Sequence, residues 1–192
     1  MIALSPSHAA MAYGPQPALQ RRIGLLAGNM QVGAILWFVA VLLQTLIFWG
    51  RPQHVREVYS RILGVDVSQQ SVSAFAAAVM LVGLVVLCGA WLAVRVWQLA
   101  GTYRRGGAFT VEAATRLRGL ALAGLVSLGA DIVVRHLVAP VMTFGLPGGP
   151  HFTGPWITSQ DLLYGLMILF LFALSGIFLA AAEMAEDQAA IV

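Results

Sequence analysis

Four long apolar runs, broken by few polar residues, dominate the chain at about 32–49, 74–96, 117–141 and 162–182. A helix crossing a hydrocarbon core of ~30 Å needs about 20 such residues. The pattern therefore predicts an all-α, polytopic membrane protein: a four-transmembrane-helix bundle spanning 23–192, with the first helix extendable back to Ile23. Four spans return both termini to one side. Residues 1–22 carry Pro6, Pro15 and Pro17 and no charge before Arg21 and Arg22. They lack the basic, apolar, small-residue order of a secretory signal and are expected to form a disordered tail.

The hydrophobic period changes in the first loop. After Pro52, a residue suited to a helix start, Val55, Val58, Tyr59 and Ile62 follow the i, i+3, i+4, i+7 spacing, while Arg56, Glu57, Ser60 and Arg61 take the other face. This is the signature of a short amphipathic helix. Its expected place is the membrane surface, apolar face down; capping the bundle or docking a partner is the alternative. Glu57 and Arg61 have the i,i+4 spacing of an ion pair. The third loop, "TFGLPGGPHFTGPWITSQ", has the Gly and Pro density of successive turns, and its His151 and Trp156 read as a surface histidine and an interfacial tryptophan.

Composition agrees with the pattern. Of 192 residues, 59% are hydrophobic and 10% charged, against ~25% charged in soluble domains; the mean hydropathy is +0.84. The net charge of +3 rests on eleven basic residues, all of them Arg. Several cluster near span ends, so the lipid bilayer and not nucleic acid is their expected partner. Arg21, Arg22, Arg95, Arg104, Arg105, Arg116 and Arg118 fall on the side of the termini, and Arg51, Arg56, Arg61 and Arg135 on the other. By the positive-inside rule both termini are cytoplasmic. A lone Cys88 excludes an intrachain disulfide and a thiolate metal cluster.

Candidate chemistry concentrates in "GADIVVRH", residues 129–136, within the third span. Ionisable residues in a span are costly and mark either a site or a pair. Asp131 and Arg135 are four apart and share a helix face, so a structural i,i+4 ion pair is the first reading and a proton or substrate site at Asp131 the second. Gly119, Ala123 and Ser127 continue that row backwards as a small-residue packing face of the kind on which membrane helices approach closely. Asp131 is thereby expected to face the bundle interior, and Ala121 the lipid. At ~1.5 Å per residue, Asp131 stands roughly 21 Å from Leu117 and Arg135 roughly 27 Å, near the far edge of the core. His136 and Gln44 are the possible polar partners. With no second histidine in any span, metal or haem ligation by His136 is disfavoured. No phosphate loop, activated nucleophile or metal-ligand spacing is present, so no enzyme activity, cofactor or metal is expected.

The second loop, "YRRGGAFTVEAATRLRGLALAG", has a turn at Gly106-Gly107, then Thr110 as an N-cap and Glu112 in the first turn, both favourable at a helix start. Over about 74–192 the chain resembles the bacterial four-span membrane family catalogued as domain of unknown function 2975, which has a similar Gly-x-Phe-Ser/Thr stretch before its third span and an acidic ending like "LAAAEMAEDQAAIV". The long Pro-containing start and the Gly/Pro-rich third loop depart from that family. The resemblance implies a bacterial inner-membrane protein without an established reaction, and no catalytic residues carry over. Two functions follow as expectations. One is a non-enzymatic accessory, regulatory or sensory subunit that uses Arg104, Arg105, Phe109, Thr110 and Glu112 to contact another membrane protein, a second copy or a cytoplasmic regulator. The other is a small oligomeric transporter or channel built on Asp131.

Overall fold

A computed structural model describes residues 17–107, 110–152, 154 and 156–191. They form five helices, with no strand among them: α1 (Pro17–Trp49), α2 (Pro52–Leu63), α3 (Val72–Arg104), α4 (Val111–Met142) and α5 (Ser159–Ile191). Four of these are long and apolar enough to cross a membrane. At 32 or 33 residues each, these helices are close to 50 Å long at ~1.5 Å per residue, so their ends project beyond a ~30 Å hydrocarbon core. The projection corrects one expectation. Residues 17–22 belong to α1 and not to a tail, because Pro17 suits a first turn and the Ala, Leu, Gln and Arg that follow are strong helix formers. Residues 1–16 lie outside the described residues.

The ends of the helices follow from local chemistry. Ser71 caps α3 by accepting from the Ala74 N–H at 3.2 Å, and Thr110 caps α4 by accepting from the Ala113 N–H at 3.3 Å. The α2 helix stops at Gly64, whose φ of +67° is the left-handed conformation that glycine adopts without a Cβ penalty. In the turn beyond it, the Ser68 N–H donates to Asp66 Oδ1 at 2.8 Å. That bond holds the Asp66 carboxyl below the usual carboxylate range.

The long helices pack chiefly in chain order, α1 on α3, α3 on α4 and α4 on α5, and among the described residues no comparable contact closes the row between α1 and α5. Helix α4 is central: 22% of its most apolar window is buried, against none of the corresponding window of α1. Towards α3 it presents the small-residue row, in which Ala123 is fully buried, Ser127 Oγ donates to the Cys88 carbonyl at 3.2 Å, and a Cβ on Gly119 would stand 3.7 Å from the Arg95 guanidinium. Towards α5 it presents Gly124, where an added Cβ would come within 3.3 Å of Ile168. Ala121, three residues before Gly124, is fully buried; the expectation that it faces lipid is overturned, because α4 has close neighbours on two sides.

Helix α2 caps the bundle, so the expected surface-lying arrangement is also corrected. Val55 is fully buried among Ala78, Val134, Val138 and Met142. Trp49 and Tyr59 rings lie 6.2 Å apart and Trp49 and Phe75 rings 6.0 Å apart, pinning α2 between the ends of α1 and α3. Burial pushes the Tyr59 phenol above its ordinary pKa. Ile62, counted from its spacing among the inward residues, is 62% exposed, since a helix docked by its first two turns lifts its last turn clear of the bundle. Glu57 and Arg61 form no ion pair.

Candidate functional site

The polar residues of α4 meet a third group that the apolar pattern does not reveal. The α5 helix starts with Thr158-Ser159-Gln160-Asp161, in which Asp161 N–H donates to Thr158 Oγ1 at 3.2 Å and Thr158 N–H donates to Asp161 Oδ2 at 2.8 Å. This reciprocal arrangement is a capping box closed by an Asp in place of the usual Glu. It fixes the Asp161 carboxylate against the C-terminal part of α4, where its side chain is 4% exposed. Arg135 reaches across with both terminal nitrogens, at 2.8 Å to Oδ1 and 3.3 Å to Oδ2, the fork geometry that suits a guanidinium to a carboxylate. The same Nη2 donates to Asp131 Oδ2 at 2.8 Å.

The expected Asp131–Arg135 pair is therefore formed, but as the weaker arm of an Asp131–Arg135–Asp161 cluster joining two helices. The buried partner is Asp161. Asp131 is 51% exposed at its side chain and is turned towards a cleft of about 400 Å³ between α1 and α4, floored by α3. This corrects the expectation that Asp131 faces the packed interior: its half-exposed carboxylate borders an open cleft, beyond the part of the row where Ser127 bonds to α3. Gln44 lines the same cleft, with no hydrogen bond joining it to Asp131.

His136 points the other way. It is 3% exposed, its Nδ1 lies 2.7 Å from the Ile132 carbonyl, and its ring stacks on Trp156 at 4.3 Å and 6°. Trp156, expected as an interfacial anchor, thus folds the third loop back onto α4. The His151 N–H ties the loop to Thr143 Oγ1 at 2.9 Å. Among the described residues no three His, Cys, Asp or Glu side chains converge as metal ligands would.

At the opposite end, Arg104 donates to Gln31 Oε1 at 3.0 Å, joining α3 to α1. Glu112 pairs with Arg116 at 2.7 Å and with Arg105 at 3.8 Å, and Arg116 donates to the Gln98 carbonyl at 2.7 Å. Thr110 is occupied by its capping role. Arg104, Thr110 and Glu112 are thus engaged within the chain, while Arg105 is largely exposed; Phe109 lies outside the described residues.

Four apolar helices, with charged groups confined to the ends or paired with one another, define a multi-pass integral membrane protein. No known family model matches the chain, and no match was found among curated proteins or solved structures.

Proposed function

We propose that this is a non-enzymatic accessory, regulatory or sensory subunit of a bacterial inner membrane, with both termini cytoplasmic, that works through contacts between its spans and those of another membrane protein or a second copy. One observation carries the reading: the spans form an open row, leaving α1 held along one edge only. Leu25, Leu26, Ile35, Leu36, Leu43 and Ile47 of α1 are all about half exposed or more. Helix association in lipid rests on packing and hydrogen bonding, so a span held on one side is available to a second protein. The experiment is in-cell photocrosslinking from Leu36 on α1 and from Leu122 on α4 as a comparison. Protein adducts at Leu36 are expected; adducts to lipid alone at both positions overturn the reading. A second reading, a small oligomeric transporter, is favoured by the half-exposed Asp131 in a cleft. It predicts a homo-oligomer in mild detergent and uptake in liposomes that Asp131→Asn abolishes.

A further inference from the structure

We infer that the cleft between α1 and α4 is a binding site for an amphiphile with an ammonium head group, entering sideways from the bilayer. The inference holds whether the chain is an accessory subunit or a transporter.

The charge balance is the first support. Two carboxylates and one guanidinium leave the cluster with a formal charge of −1. Asp161 takes both arms of the Arg135 fork as well as Thr158 N–H and Oγ1–H, whereas Asp131 accepts a single bond, from Arg135 Nη2. The uncompensated charge therefore falls on Asp131, the member that faces the cleft. Within a span, an ionised group is expected to have a partner. Beyond its bond from Arg135, Asp131 keeps acceptor capacity that no described residue fills.

The walls define what that partner is. Gln44 lies in the same cleft and makes no hydrogen bond of its own among the described residues, so it offers a second polar contact to a head group. Phe48, Trp49 and Tyr59 form the rim on the α2 side, and aromatic faces attract cations. Val82, Val85 and Val86 of α3 floor the cleft, an apolar surface fit for an alkyl chain. About 400 Å³ lies within the usual range of ligand sites, ~300 to 1,000 Å³. An inorganic cation would leave the aromatic rim and the valine floor without a role, and a neutral lipid would leave the net charge of the Asp131–Arg135–Asp161 cluster uncompensated.

The test uses the full chain in dodecyl maltoside, titrated with dodecylammonium and, separately, with dodecanol, which has the same tail and no charge. Binding is followed by native mass spectrometry and by the thermal unfolding midpoint. One dodecylammonium per chain and a raised midpoint are expected, with dodecanol at least tenfold weaker. Asp131→Asn should weaken dodecylammonium binding at least tenfold. Thr45→Phe, which fills the cleft and leaves the charged cluster untouched, should do the same and serves if the Asp131 variant does not fold. Equal binding of amine and alcohol, or undiminished binding in Thr45→Phe, overturns the inference. Displacement of the amine by phosphatidylethanolamine but not phosphatidylcholine identifies the natural occupant as a membrane lipid. Absence of displacement by either lipid identifies a free lipophilic amine.

Discussion

The docking of α2 gives the sharpest test of the architecture. Val55→Ala removes two methyl groups from a side chain that is 0% exposed and surrounded by Ala78, Val134, Val138 and Met142. At ~0.8 kcal/mol per buried carbon the transfer contribution is about 1.6 kcal/mol, and a cavity left unfilled brings the total to about 2 to 3 kcal/mol. Val134 and Val138 are held in a helix packed on two sides, so little collapse into the space is available. Ile62→Ala removes more carbon from a residue that is 62% exposed, and is expected to cost under about 0.5 kcal/mol, as surface changes do. The assay is amide hydrogen exchange across residues 52–63 in detergent or nanodiscs. If α2 opens locally, 2 to 3 kcal/mol speeds exchange roughly 30- to 140-fold in Val55→Ala, with little change in Ile62→Ala. An α2 that lay on the bilayer by its apolar face would respond to both substitutions alike. Equal exchange in the two variants refutes the docking and returns α2 to the membrane surface.

In the charged cluster, thermal unfolding should rank Arg135→Leu as most damaging and Asp131→Asn as least, because Asp131 is half exposed and receives one bond. Arg135→Leu combined with Asp161→Asn should recover stability that Arg135→Leu combined with Asp131→Asn does not; the reverse order would make Asp131 the principal partner. On the packing face, Ala123→Leu should destabilise far more than Leu122→Ala, whose parent residue is 49% exposed, since overpacking a tight site costs ~1 to 3 kcal/mol; similar unfolding midpoints would refute the assignment. For topology, single cysteines at Ser7 and Ser68 in a Cys88→Ala background should label from the cytoplasmic and outer sides respectively, and the opposite pattern would invert the orientation.

Much of the fold was legible because hydropathy reports burial from water directly. The four spans, the Pro52 start of α2 and the Thr110 cap of α4 all follow from residue type and spacing. What hydropathy cannot carry is the partner of each face. The stripe of Val55, Val58 and Tyr59 has the same pattern whether it meets a bilayer or a bundle; the burial of Val55 and the aromatic cluster of Trp49, Tyr59 and Phe75 distinguish them. Alanine is equally mute about lipid and protein, so Ala121 and Ala123 could not be separated by composition. Asp161 escapes the hydropathy pattern for a different reason: it stands just before the apolar run of α5, although Thr158-x-x-Asp161 before an apolar run is a capping signature. That signal would have placed a second carboxylate at the start of the last span, within reach of a cation on its neighbour.

The open row also bears on how the chain assembles. Each long helix rests on one next to it among the spans in chain order, so the contacts link segments made close together in time, and no span need wait for a distant one. Arg135 follows the same order, since its second partner belongs to the next span. Until α5 arrives it has only Asp131, and the Thr158–Asp161 box that begins α5 delivers the second carboxylate as the last span enters. A chain arrested after Met142 would hold Arg135 paired with Asp131 alone, a neutral pair in place of a cluster of charge −1.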